Sequence, residues 1–298
     1  MNLFSKVIAN LQIYKKDLKT KGIYWSIVHR LYKVPSLKKQ LVPIVNKLKP
    51  DFVIAQNHKI YIDKKDSIVS EVLLSEKIWE PYETKIIKRK IKKGDIVVDI
   101  GAHIGYYTLI AASIVGDKGK VYAFEPDPSN FHLLKKNINV NGYTNVVTVN
   151  KAVSNKNGNK RLYLNDENRG DHRVFDSGDK RKSIAIAVVT LDDFFKDKKE
   201  TIDFMKMDIQ GSEVFAMKGA RKIVDKSKKI KFITEFMPFE LDQSGSSAEE
   251  YLRLLKNNKF KIYRLDEVRE KLIPINPEKL LRLYNDNKHY LTNLLCYR

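Results

Sequence analysis

GDIVVDIGAHIGYYTLIAA, residues 94–112, decides the fold. Ile96 to Ile100 is a short run of mostly β-branched residues around one acid, Asp99, and reads as a buried strand. Gly101 and Gly105 punctuate the chain, and the apolar residues that follow predict a helix. A strand that passes through a glycine turn into a helix is where open α/β sheets bind ligands. Taken alone, the two glycines would serve equally well to let the helix pack against the sheet.

The same alternation continues outward. GKVYAFEP is a strand stopped by Pro126, PSNFHLLKKNINVNG a helix closed by Gly142, and NVVTVNKAV a third strand. KRLYL and SIAIAVVT form a strand pair around a polar loop, residues 165–182, and Thr190 caps a helix with Asp193 at its third position. IDFMKMDI, KKIKFITEF and KFKIYRLD are further strands separated by helices, and HYLTNLLCYR is a terminal strand. Upstream, FVIAQNHKIYID predicts one or two strands, SIVSEVLL a helix, and IWEPYETKIIKRKI a helix ending before Gly94. Strands spaced by helix-length segments imply βαβ units and a mostly parallel sheet covered on both faces. Three segments result: a basic helical N-terminal extension (1–50), a strand and helix lead-in (51–93) and the main domain (94–298).

The 298 residues are 43% hydrophobic, too apolar for a disordered chain, and carry a net charge of +20. Residues 1–50 hold eleven Lys and Arg against the single acid Asp17, so half the net charge lies in the first sixth of the chain. Such an arm suits an anionic partner, a membrane surface, a phosphorylated carrier or, less readily, nucleic acid; a lysine-rich solvated surface or a helical cap packed on the sheet's edge is the plainer alternative. Cys296 is the single cysteine, which excludes an internal disulfide framework and any cysteine-cluster metal site. With no signal-peptide pattern at the start and no run of 18 apolar residues, the expectation is a cytoplasmic protein, peripheral at the membrane inner face if the arm docks.

Three carboxylates end strands on one rim if the sheet is parallel: Asp99, Glu125 and Asp208. Glu125, 26 residues after Asp99, stands where an acid accepts both ribose hydroxyls of a nucleoside. A dinucleotide would bring its pyrophosphate against Asp99, His103 occupies the second glycine's place in G-x-G-x-x-G, and no P-loop occurs. S-adenosylmethionine has no phosphate and carries a sulfonium and an ammonium, so acidic walls suit it, and methyl transfer follows as the reaction class. Loop 165–182 adds ten charged residues and His172: the imidazole as proton acceptor, with Arg169 and Arg173 as partners for a substrate carboxylate or phosphate. A solvated loop is the plainer reading of the same residues.

These runs, with TLDDFF (190–195) and IDFMKMDIQGSEVFAMKGA (202–220), resemble the FkbM-type methyltransferase family, most closely over 94–220. The resemblance implies a class I, Rossmann-like α/β fold with a seven-stranded sheet whose last strand is antiparallel. It also implies S-adenosylmethionine as methyl donor and O-methylation of a sugar, lipid-linked glycan or small metabolite. By position, Asp99, Gly101, Ala102 and Gly105 line the methionine and ribose end, with His103 turned toward the cofactor loop. Glu125 holds the ribose, Pro126 and Asp127 edge the adenine, Asn130 and Phe131 fix that loop, and Ala152 meets adenine through its backbone. Asp208 sits beside the methyl group, and Glu235 contacts substrate. One departure stands out: the family commonly has D-[VI]-E-G-x-E, and here the middle acid is Gln210, which speaks against a metal at that place. Two other classes compete, an RNA methyltransferase suggested by the charge and a non-catalytic nucleoside-binding module. Against the first, no N-P-P-[YFW] element or aromatic RNA-binding pattern occurs.

Overall fold

The computed structural model describes residues 46–287 and 290–298. Most of the expected basic extension, residues 1–45, lies outside the described residues. Lys49, counted with that arm, is buried and ion-paired with Glu71 at 2.5 Å.

A hairpin of β1 (Phe52–Ala55) and β2 (His58–Tyr61) leads into α1 (Val69–Glu76) and α2 (Pro81–Lys90). The main sheet is built from β3 (Ile96–Ile100), β4 (Lys120–Phe124), β5 (Val146–Val149), β9 (Phe204–Met207), β10 (Lys231–Phe236), β11 (Lys261–Asp266), β12 (Lys271–Pro274) and β13 (Thr292–Tyr297). Its order is β12-β11-β13-β10-β9-β3-β4-β5. β5, β4, β3, β9 and β10 run parallel, and β13 enters antiparallel between β10 and β11. Seven of the eight strands are those expected. The eighth, β12, pairs only with β11 as an edge hairpin, a pattern the sequence reading passed over.

Strand residues alternate between two apolar layers, as a two-residue period requires. Val98, Ile100, Tyr122, Phe124 and Met205 face one layer, while Val97, Val121, Ala123 and Phe204 face the other. Helix α3 (Tyr106–Val115) is buried almost all round because it lies between the sheet and α2. Helix α4 (Pro128–Val140) carries the chain from β4 to β5. The expected single strand NVVTVNKAV is divided: β5 stays in the main sheet, while β6 (Ala152–Val153) pairs with β8 (Ser183–Val189). With β7 (Gly158–Tyr163) these form a small second sheet, and the β7–β8 connection is the charged loop 165–182. Thr190 caps its helix as expected, Oγ1 accepting from Asp193 N at 3.0 Å.

The chain leaves β3 toward β4 on one side and returns to β9 on the other, so the switch point of the sheet lies between β3 and β9. Here the strand ends nearly touch. Gly101 has φ +83°, and a Cβ on it would lie 2.1 Å from the Asp208 carbonyl oxygen. Gly94, with φ +87°, has open space around it. Gly94→Ala is therefore expected to cost about 1–2 kcal/mol, the left-handed penalty alone. Gly101→Ala should cost at least about 3 kcal/mol in urea unfolding, because the strands must part. Equal losses for the two variants would contradict the close approach.

Candidate active site

The turn after β3 is held by paired backbone donors. Gly101 and Ala102 N–H groups both donate to the Phe124 carbonyl at 3.0 Å. His103, at φ +51°, then points its N–H at Glu125 Oε2 (2.8 Å), and Asp127 N–H reaches Oε1 (2.9 Å). Glu125 is 5% exposed, and burial raises its carboxyl to about 8 despite those two bonds. The carboxylate is thus fixed at the cleft between the two halves of the sheet.

That cleft encloses about 560 Å³, its open mouth included. Of the expected site residues it brings together Gly101, His103, Glu125, Pro126, Ala152, Arg169, His172 and Asp208. Phe124, Val153, Leu162 and Val174 supply an apolar wall, much of it from the second sheet.

Six expected residues are placed elsewhere, each for a local reason. Asp99 is sealed behind the turn, accepting from Thr108 Oγ1 at 2.5 Å. Ala102 packs into the apolar layer beside α3, and Gly105 faces Leu134, whose Cδ1 a Cβ would meet at 2.7 Å. Asp127 caps α4, accepting from Asn130 N–H at 2.8 Å. Arg173 is committed to Asp171 (2.7 Å) and Glu240 (2.5 Å) rather than turned to a ligand. Glu235 stands one residue back, accepting from Gln210 Nε2 at 3.0 Å. Arg169 does line the cleft, but its guanidinium is directed at Asp63 (3.5 Å) and Asp166 (3.8 Å).

His172 is corrected in role. Its Nδ1 accepts the Asn165 N–H at 3.0 Å, and burial holds the imidazole down at about 4. The ring is therefore neutral at pH 7 with its proton on Nε2, so it presents a donor to the cleft and has no free lone pair to act as a base.

The sequence reading missed the floor of the site. Lys206, on a buried strand, reaches Asp208 at 3.0 Å and Glu83 at 3.7 Å and lies 4.7 Å above the Tyr107 ring. Tyr107 OH donates to Glu80 Oε2 (2.9 Å), and Asn293 Nδ2 donates to Glu80 Oε1 (3.0 Å). Burial alone would lower the Lys206 ammonium, but Asp208, Glu83, Glu80 and Asp99 outweigh it and hold the charge. Burial likewise pushes Asp208 up, and Lys206 and Gln210 reverse that, leaving it below the usual carboxylate range. Gln210 Nε2 joins Asp208 Oδ1 (2.8 Å) to Glu235, whose carboxyl burial and neighbouring acids raise well above its ordinary value. The available signal was a lysine in the middle of the apolar strand IDFMKMDI, where burial demands an anionic partner. Among the described residues no group of three or more His, Cys, Asp or Glu is arranged to hold a metal.

The cleft fits S-adenosylmethionine. It holds a fixed carboxyl at Glu125, where the sequence leads one to expect the ribose, an apolar wall open to a planar base, and the ionised Asp208. Four buried polar atoms of lining residues also lack protein partners: His103 Nε2, Asn130 Oδ1, His172 Nε2 and Ser212 Oγ. Sheet order and cleft together define a class I methyltransferase that uses S-adenosylmethionine. The profile of the methyltransferase FkbM domain matches residues 99–262, and the chain belongs to that family. The profile of the protein-L-isoaspartate (D-aspartate) O-methyltransferases also matches residues 38–156.

Among curated relatives, protein-L-isoaspartate O-methyltransferase 1 of Archaeoglobus fulgidus is 36% identical over 59 residues, 20% of this chain and 27% of that protein. A Saccharolobus solfataricus protein named "Probable cobalt-precorrin-6B C(15)-methyltransferase (decarboxylating)" is 28% identical over 130 residues, 44% of this chain and 62% of that one. The chain thus spans less than two thirds of the length of these relatives. Among solved structures, a SAM-dependent O-methyltransferase from Thermotoga maritima superposes with TM-score 0.40 at 16% identity, covering 74% of this chain and 66% of that one. Aeropyrum pernix fibrillarin with S-adenosyl-L-methionine gives 0.42 at 12%, covering 73% and 76%.

With its carboxyl raised to about 8, Glu125 is largely protonated at neutral pH in the free protein. Ribose hydroxyls donate best to the carboxylate, so binding should release a proton below about pH 8. Affinity for S-adenosylhomocysteine should therefore rise with pH and level off above about 8. Glu125→Ala should lose more than about tenfold in affinity, along with that dependence. Calorimetry in buffers of different ionisation enthalpy checks both, and a pH-independent wild-type affinity without proton release would contradict the assignment.

Proposed function

We propose that the protein methylates a hydroxyl oxygen of a sugar, lipid-linked glycan or small polyhydroxylated metabolite. One observation carries this reading: the Asp208–Gln210–Glu235 chain at the switch point, an acceptor-rich surface beside the cofactor cleft. Hydroxyl donors suit such a surface, whereas phosphates of a nucleic acid would meet carboxylates. Bound S-adenosylmethionine supplies an electrophilic methyl group on sulfur. Transfer of that methyl to an acceptor hydroxyl, with the sulfur leaving as a thioether, would require the chain to take up the hydroxyl proton.

Asp208 takes that proton in this reading. Its carboxylate lines the cleft, and Lys206 and Gln210 keep it ionised across the neutral range. His172 is excluded from this task by its tautomer and serves in binding. The excess of basic residues over residues 1–50, the buried Lys49 apart, would hold the enzyme at an anionic membrane where a lipid-linked acceptor resides. No helix among the described residues is long and apolar enough to cross a membrane.

The test is incubation with radiolabelled methyl donor and separated glycan, lipid, small-molecule and RNA fractions of the host. Label is expected in the glycan, lipid or small-molecule fraction, and label in RNA alone would overturn the reading. Once an acceptor is known, Asp208→Asn should lower turnover by roughly 10²–10⁴-fold while S-adenosylhomocysteine still binds. Near-normal turnover in that variant would remove Asp208 from the proton-accepting role.

A further inference from the structure

Two buried polar atoms in the cleft have their roles set by bonds made away from it. His172 spends Nδ1 on the Asn165 N–H, so its Nε2–H is a fixed donor, buried and without a protein partner. Asn130 is committed on its other side. Its Nδ2 donates to the Arg169 carbonyl at 3.2 Å, which sets the amide orientation and leaves Oδ1 as a buried, unpartnered acceptor. Asn130 is 2% exposed, so water from the surface does not satisfy it. The same bond ties the first turn of α4 to the loop that carries His172 three residues later. Both side chains line the cleft beside Val153, Leu162 and Val174, an apolar wall suited to a planar ring. An unsatisfied buried donor and acceptor are costly, so a ring that pairs with both is favoured over one that pairs with neither.

We propose that His172 and Asn130 read the hydrogen-bonding edge of the cofactor's adenine. The Nε2–H of His172 donates to N1, and Asn130 Oδ1 accepts from the adjacent 6-amino group. The inference rests on S-adenosylmethionine occupying this cleft. Adenine presents a ring acceptor next to an amino donor, the complement of this pair. Hypoxanthine carries oxygen in place of the amino group and a proton on N1, so Asn130 Oδ1 would face another acceptor and His172 Nε2–H another donor. The two residues are thus specificity-determining, and loop 165–182 earns its place at the rim by selecting the base.

The test compares S-adenosylhomocysteine with S-inosylhomocysteine, its 6-oxo analogue, by calorimetry on the full chain. The wild type should prefer the adenine compound by about tenfold or more, since a site built to pair a donor rejects an analogue lacking it. In His172→Phe the preference should fall to within about threefold, and His172→Gln, which donates from an amide, should recover part of it. Equal wild-type affinities for the two compounds would overturn the proposal, as would an undiminished preference in a folded His172→Phe protein. Binding of neither compound would instead refute the cofactor reading on which it rests. Nitrogen-15 NMR of the wild-type protein needs no variant: the His172 proton is expected on Nε2, and a proton on Nδ1 would overturn the donor role.

Discussion

The ammonium of Lys206 is the charge around which the rest of the site is arranged. It lies on β9 in register with Asp99 of β3 and neutralises Asp208 and Glu83 directly. Among the described residues no other cation forms an ion pair with Glu80, Glu83, Asp99 or Asp208. Glu83 is fully buried, neither of its oxygens has a hydrogen-bond partner, and burial with the neighbouring Glu80 raises its carboxyl well above the ordinary value, with the ammonium at 3.7 Å opposing that rise. A buried charge left unpaired is expensive, and removing one partner of such a pair typically costs about 3–5 kcal/mol. Lys206 therefore does two things at once: it keeps Asp208 ionised at the cleft, and it draws the lead-in helix α2 against the sheet.

That second effect helps explain how α2 is held against the sheet behind the site. Glu267, after β11, accepts the first-turn N–H groups of Tyr82 (3.0 Å) and Glu83 (2.9 Å), anchoring α2 at its start. Glu80 takes a left-handed conformation, φ +41°, and its carboxylate meets Tyr107 and Asn293. Three distant segments thus converge on one buried group. Gln210 belongs to the same economy of charge. An amide can give one hydrogen to Asp208 and the other to Glu235, whereas a third carboxylate there would face both without a proton to share.

The sheet was readable because most of its strands are short, mainly apolar runs, several of them closed by a nearby glycine or proline, and those signals are local. Asp208 at a strand end, Glu125 at the rim, and His172 in a loop above them all follow from the order of elements. What escaped depends on which partner each side chain takes once the chain is folded, whether near in sequence or far. Asp127 resembles an adenine contact until Asn130 N–H claims it as a helix cap. Arg173 resembles an anion receptor until Asp171 and Glu240 occupy it. His172 resembles a base until one backbone N–H from Asn165 fixes its tautomer. A two-residue kink after Val149 moved Ala152 and Val153 into a second sheet, and no residue pattern distinguishes that from a continuous strand. Lys206 was the most legible omission, since a lysine inside an apolar strand has few physical explanations.

Chemical unfolding of Lys206→Met across pH tests this account most directly. Methionine keeps much of the side-chain volume and removes the charge, leaving the four acidic side chains without their cation. A loss of about 3–5 kcal/mol is expected near pH 8. The deficit should shrink as pH falls, because Glu80, Glu83 and Asp99 have carboxyls raised in the folded state and take up protons before the unfolded chain does. A variant as stable as the wild type at pH 8, or one whose deficit does not change with pH, would show that the lysine does not hold the carboxylates together.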